Sequence, residues 1–296
     1  MAPMNQDLPS FLCIGAQKAG TTTLADILKQ HSGICIPEVK ETKFFLFEED
    51  YSKGTDFYLN TYYSHRQPGQ LMGEFDPDYM MEPRAAERIA ATLGKDVKII
   101  VVLRDPASRA YSHYLMSRKK GMEQLAFAAA LEAEASRFDD LRKRKVIAYL
   151  ERGKYGSQLA HYLDIFPRDQ FLFLLFETDI VNAMPSTIER IQQFLGVGYQ
   201  ELDTDLHSNE AGEAKNTAVR DLVRKDSGMK KLARVLLPSD AARKRLRKYI
   251  LQKNAGSVTI EKPDAEALRA INRQYFKDEI QLTQQLTGLD LSVWNN

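Results

Sequence analysis

Two cysteines, one tryptophan and no long apolar run set the first limits on this 296-residue chain. Cys13 and Cys35 are too few for a disulfide framework. Each lies in an apolar stretch, so both are expected as buried thiols. The lack of any run of about 18 apolar residues excludes a transmembrane helix on hydropathy. The opening residues MAPMNQDLPS have neither a basic head nor an apolar stretch. No secretory signal is therefore expected, and the expected location is a reducing cytoplasm. An excess of one charge is also missing: 41 Lys and Arg meet 40 Asp and Glu, a formal net charge of +1. That balance supplies no global field for nucleic acid. Internal repeats and low-complexity linkers are absent. What is left, 44% hydrophobic and 27% charged, fits a folded globular chain and excludes collagen-like, coiled-coil and disordered ones.

What is present alternates strand and helix signals. Phe11 to Ile14 is a short apolar run that ends in Gly15 and leads into Thr21–Lys29, with apolar residues at 24, 27 and 28. Val97 to Leu103 is β-branched and nearly continuous, as a central parallel strand is. Arg104-Asp105-Pro106 breaks it, and a helix is expected from there to about Lys120. Phe171 to Phe176 is a third buried strand, with a helix from about Pro185 to Leu195. Ile34–Ile36 and Gln70–Glu74 are weaker strand candidates. The expected fold is α/β, a three-layer P-loop-like arrangement with a central, mostly parallel sheet flanked by helices. A single domain over 1–296 is expected, with 224–296 a helical extension. Between Arg224 and Lys253 that extension holds eleven Lys and Arg against two Asp, a net +9, which leaves −8 elsewhere. The stretch is either a solvated helical face or a surface for an anionic acceptor or acidic membrane.

Gly15-Ala16-Gln17-Lys18-Ala19-Gly20-Thr21-Thr22 sits between a strand and a helix, where backbone N–H groups and the helix N-terminus can bind phosphate oxygens. The triphosphate version of such a loop reads G-x-x-x-x-G-K-[ST]. Here both glycines stand, but Thr21 takes the lysine position and the lysine is Lys18. Its loss argues against a γ-phosphate ligand, and no strand ends in an evident Mg²⁺-binding aspartate. A shorter anionic chain suits the loop. Arg104 follows the best strand, and ligands of open α/β sheets lie outside the carboxyl ends of the strands. Its planar fork fits a phosphate. Ser112, two turns into the expected helix, can face the same anion.

GAQKAGTTTL and LRDPASRAYSHY together resemble the two nucleotide signatures of the sulfotransferases, with the bacterial enzymes and the heparan sulfate branch as the nearest likeness. The resemblance runs to about residue 220. It implies transfer of a sulfuryl group from 3′-phosphoadenosine 5′-phosphosulfate (PAPS) to a hydroxyl or amine of a small molecule or saccharide. 3′-Phosphoadenosine 5′-phosphate (PAP) is then the product, and no metal is needed. It implies that Gln17, Lys18, Ala19, Gly20, Thr21 and Thr22 hold the 5′-phosphosulfate, and that Arg104 and Ser112 hold the 3′-phosphate. Lys18 would also serve the leaving oxygen.

Three carboxylates compete for the base. Lys40-Glu41-Thr42-Lys43-Phe44-Phe45 is similar to the family's Glu-x-x-Phe-Phe stretch, whose Glu is the base in the heparan sulfate branch; this points to Glu41. Gly73-Glu74-Phe75-Asp76-Pro77-Asp78-Tyr79 resembles that branch's Glu-Lys-Thr-Pro-x-Tyr stretch. Phe75 stands there for a lysine and Asp76 for a threonine, which makes Asp76 the second candidate beside Glu74. None of the five histidines falls where the small-molecule enzymes carry their histidine base. Tyr155, in a Tyr-Gly pair before a helix, is either a core tyrosine or a stacking surface for adenine. Lys215 and Arg220 lie in a polar stretch that is either a loop closing over the nucleotide or plain surface. The competing functions are a P-loop nucleotide or small-molecule kinase and a nucleotide- or polyanion-binding module without catalysis. Nucleic acid is not an expected partner, and oligomeric state is not readable.

Overall fold

The computed structural model describes residues 8–137, 144, 146–205, 213–214, 255–256 and 262–294. The basic 224–253 stretch, Lys215, Arg220 and His207 lie outside the described residues. The chain divides into two compact units. The first is Met1–Ala110, Leu150–Ser208 and Ala265–Asn296; the second is Tyr111–Tyr149 with Asn209–Asp264.

The first unit is built on five parallel strands: β1 (Phe11–Gly15), β2 (Ile34–Cys35), β3 (Leu71–Phe75), β4 (Lys98–Leu103) and β5 (Phe171–Leu175). Their order across the sheet is β2-β3-β1-β4-β5. The expected strands thus stand, each end within about a residue of its sequence bound. The reason is burial on both faces. β1 lies between β3 and β4, and every one of its residues is buried, as are Ile99 to Leu103 of β4. A strand covered on both faces has no polar positions to break its apolar run. Close packing sets one residue type outright: a Cβ on Gly73 would lie 2.0 Å from the Phe11 ring, which packs edge-on against Phe75.

Ten α-helices lie among the described residues. They are α1 (Thr21–Leu28), α2 (Glu48–Tyr51), α3 (Gly54–Tyr62), α4 (Pro83–Leu93), α5 (Pro106–Lys119), α6 (Phe127–Glu132), α7 (Tyr155–Ile165), α8 (Met184–Leu195), α9 (Ala265–Ile271) and α10 (Lys277–Thr287). A π-helical turn, Asn272–Phe276, joins the last two. No helix among the described residues is long and apolar enough to cross a membrane. Both cysteines are free and buried, and burial pushes the Cys13 thiol up to about 12.

The second unit has its own buried polar centre. Glu123 accepts the N–H groups of Gln124 and Leu125, Arg137 Nη1 at 2.9 Å and the Tyr149 hydroxyl at 3.0 Å. Burial opposes the Glu123 charge, and these donors overcome it to hold the carboxyl below its ordinary value. Glu213–Ala214 pairs antiparallel with Ala255–Gly256 in the same unit.

Candidate functional site

The carboxyl ends of β1, β3 and β4 define the site, and the first element there is the loop between β1 and α1. Gly20 caps α1 in the left-handed region at φ 86°, and Lys18 sits there too at φ 74°. α1 has no side-chain cap and no acidic residue in its first turn. Among the described residues, the positive end of the helix therefore has no capping side chain or first-turn acid of its own. Ala19 is buried, while Gln17, Lys18, Gly20 and Thr22 are half-buried and line the turn. Among the described residues the buried Oε1 of Gln17 has no hydrogen-bond partner, an acceptor that only a donor group can satisfy.

Arg104 joins this loop directly. Its Nη1 donates to the Lys18 carbonyl at 2.9 Å, and its guanidinium lies 4.4 Å over the Phe176 ring. Burial works against its charge, with Glu177, Tyr155 and Asp105 partly offsetting that. Among the described residues the rest of its fork has no protein acceptor, so a half-buried cation presents unspent donors beside a phosphate-type loop. The two motifs, almost ninety residues apart, thus meet in one place.

The α5 N-terminus next to it is closed instead of open. Asp105 caps it by accepting Ser108 N–H at 2.7 Å, with Pro106 in the first helical position. Asn272 Oδ1 accepts Ala107 N–H at 3.1 Å. Anion binding there falls to the Arg104 side chain, since these amides are committed. Ser112 lies half-buried on α5 within the second unit. Tyr155 is a core residue: it is 1% exposed and its hydroxyl donates to the Arg104 carbonyl at 2.9 Å. It braces the strand end and offers no open face, so the adenine-stacking alternative does not fit this packing.

The segment after β2 returns to the loop. Lys40 Nζ is 3.2 Å from Thr21 Oγ1 and 3.6 Å from Glu41 Oε1. Lys43 Nζ is 3.8 Å from Glu41 Oε2 and 3.3 Å from Asp78 Oδ2. Arg152 Nη2 completes the row at 2.6 Å from Asp78 Oδ1. Lys43 holds φ 60°, and its N–H donates to Asp76 Oδ2 at 3.0 Å. Burial lowers the Lys43 ammonium's preference for charge, but Asp78, Asp76 and Glu41 reverse this and raise it.

The three carboxylates now separate. The Glu41 side chain is 37% exposed. Asp76 is wholly buried, and burial first, then the charges of Asp78, Glu74 and Glu41, push its carboxyl well above the carboxylate range. A carboxyl enclosed away from any bound ligand makes a poor proton acceptor for it. Glu74 is a core anchor: it accepts Thr42 Oγ1 at 2.5 Å, Tyr79 OH at 2.8 Å and the Tyr58 hydroxyl. Burial raises it too, although those donors pull it back. Phe75 is buried in the sheet, so no cation arises there. Glu41, Asp76 and Asp78 bring their oxygens within 4.8 Å of one another, a spacing that a metal ion could use. Lys43 and Arg152 already balance Asp78, which leaves little uncompensated charge to recruit one.

Lys40 as a loop contact was not readable from sequence. Its only signal was adjacency to Glu41; the contact with Thr21 depends on where the chain returns. The Asp78–Arg152 pair and Asn272 likewise had no local signature. Of the histidines, His31 is a satisfied structural residue. Its Nε2 lies 2.8 Å from the Gly198 carbonyl, and its Nδ1 accepts Gly33 N–H at 3.0 Å.

Comparison with known proteins bears on this geometry. The sulfotransferase domain family model matches residues 8–231. The human heparan sulfate glucosamine 3-O-sulfotransferase 3B1 is 31% identical over 209 residues, covering 69% of this chain and 49% of that protein. The chain thus spans about half the length of the curated relatives it matches. The crystal structure of a sulfotransferase from Alicyclobacillus acidocaldarius superposes with TM-score 0.69 at 23% identity, over 98% of this chain and 99% of the other. Mouse sulfotransferase SULT7A1, solved with PAP, gives TM-score 0.50 at 16% identity, over 95% of this chain and 89% of its own.

Proposed function

We propose that this chain, which belongs to the sulfotransferase domain family, moves a sulfuryl group from PAPS to an acceptor hydroxyl or amine, with Glu41 as base. The observation that carries the reading is the contact of Arg104 Nη1 with the Lys18 carbonyl at 2.9 Å. It puts a strand-end guanidinium with unspent donors beside an open helix N-terminus, two anion sites that a donor with 3′- and 5′-phosphates can span. Thr21 in place of the triphosphate lysine, with Lys18 and Lys40 as the local cations, suits a phosphosulfate better than a triphosphate.

The chemistry follows from position. Glu41 takes the proton of the acceptor hydroxyl as its oxygen forms a bond to sulfur. The bond from sulfur to the bridging 5′-phosphate oxygen breaks in line, and PAP leaves with that electron pair. Lys18 and Lys40 hold the charge that grows on the leaving oxygen. Glu41 is reachable by an acceptor and lies 3.6 Å from the lysine that touches Thr21, whereas Asp76 is enclosed below it. The names of the curated relatives favour a saccharide acceptor.

The test is incorporation of label from [³⁵S]PAPS into a panel of glucosaminyl saccharides, phenols and alcohols. Wild-type protein should label at least one acceptor with EDTA present, and Glu41→Gln should label none measurably. Transfer of the γ-phosphate of ATP into the same panel would instead support a kinase.

A further inference from the structure

The turn that follows Arg104 is held by a part of the chain that the family match does not reach. The match ends at residue 231, and Asn272 lies in the π-helical turn between α9 and α10. Its side chain is 5% exposed and spans the start of α5. Nδ2 donates to Asp105 Oδ2, and Oδ1 accepts Ala107 N–H at 3.1 Å. Reversing the amide would set oxygen against a carboxylate and an NH₂ against an N–H, so the orientation is fixed by its partners. The other Asp105 oxygen accepts Ser108 N–H. Asp105 N–H donates to Glu177 Oε1 at 2.9 Å, and Glu177 Oε2 accepts the indole N–H of Trp294 at 3.1 Å. Asp105 follows Arg104 directly. The last described segment of the chain therefore grips the residue after the anion-facing arginine from two sides.

We propose that Asn272 is a positioning residue for the donor's 3′-phosphate: it fixes the Asp105 turn so that Arg104 points at that phosphate while keeping its contact with Lys18. The proposal rests on the donor reading above. Without the amide, Ala107 N–H and Asp105 Oδ2 lose their partner. The turn can then relax, and the Arg104 fork loses its direction although its charge stays.

The full-length chain tests this by calorimetric titration with PAP and with adenosine 5′-phosphosulfate, which lacks the 3′-phosphate. Asn272→Ala should weaken PAP about tenfold, the scale of one charge-assisted hydrogen bond, and leave adenosine 5′-phosphosulfate within about twofold. A residue that only stabilised the fold would weaken both alike. Asn272→Asp keeps the volume and sets a carboxylate against Asp105; it should show the same selective loss, and serves where the alanine variant does not fold. Equal loss for both ligands, or an unchanged preference for PAP, overturns the proposal. Arg104→Ala separates the two levels. If it keeps the preference for PAP, the donor reading is wrong; if it loses the preference while both Asn272 variants keep it, only the role of Asn272 is wrong.

Discussion

Among single residues, exposure and charge divide roles that chemistry alone leaves shared. Glu41 and Asp76 are both carboxylates beside the same lysine, yet one is reachable and the other enclosed. Glu41→Gln should therefore lower kcat by about 10²-fold or more while PAP affinity stays within about twofold, as loss of a base that never touches the nucleotide requires. Asp76→Asn should lower it far less; steady-state kinetics on both variants checks this. Asp76 also makes a pH prediction. Its folded-state value lies above the unfolded one, so it favours the fold at low pH and that contribution fades as pH rises through the raised value. Asn removes the component. The variant's stability relative to wild type should hence climb as pH rises from about 4, the unfolded carboxylate's value, through the raised folded value, read from urea midpoints at each pH. That Lys18, Glu41 and Arg104 sit near the strand ends was legible because each stands in a short motif at an element's edge. Lys40 was not, because a lysine next to a glutamate looks the same whether it meets solvent or Thr21.

For whole elements, the two helices at the carboxyl ends of β1 and β4 are treated in opposite ways. α5 is capped by Asp105 and Asn272, and α1 is left open behind Gly20. The open one depends on its glycine. A Cβ on Gly20 would lie 2.9 Å from Ile180 Cγ2 and 3.4 Å from Phe176, the ring under Arg104, at a φ that side chains rarely adopt. Gly20→Ala should cost about 1–3 kcal/mol of stability, measured by chemical denaturation, and weaken PAP as well. The strands were legible to about a residue because burial on both faces writes itself as a continuous apolar run. The closing of α5 was not, since its partner lies more than 160 residues away and one asparagine in a helical stretch carries no sign of where its amide points.

Over the whole molecule, the proposed donor lies across the loop after β1 and the end of β4, with the segment after β2 bringing the proposed base and the C-terminal segment holding the turn after Arg104. The parallel sheet and family membership were readable from two motifs and three apolar runs. The division into two units was not, because its boundary falls within α5, and a continuous helix gives no break in pattern. The central claim is that this site is built for a 3′,5′-bisphosphate and not for a metal-bound triphosphate. Calorimetric titration of the chain with PAP and with ATP, each with Mg²⁺ and with EDTA, tests it most directly. The account predicts PAP binding at least about tenfold tighter than ATP and unchanged by EDTA. Tighter ATP binding that EDTA abolishes would contradict it.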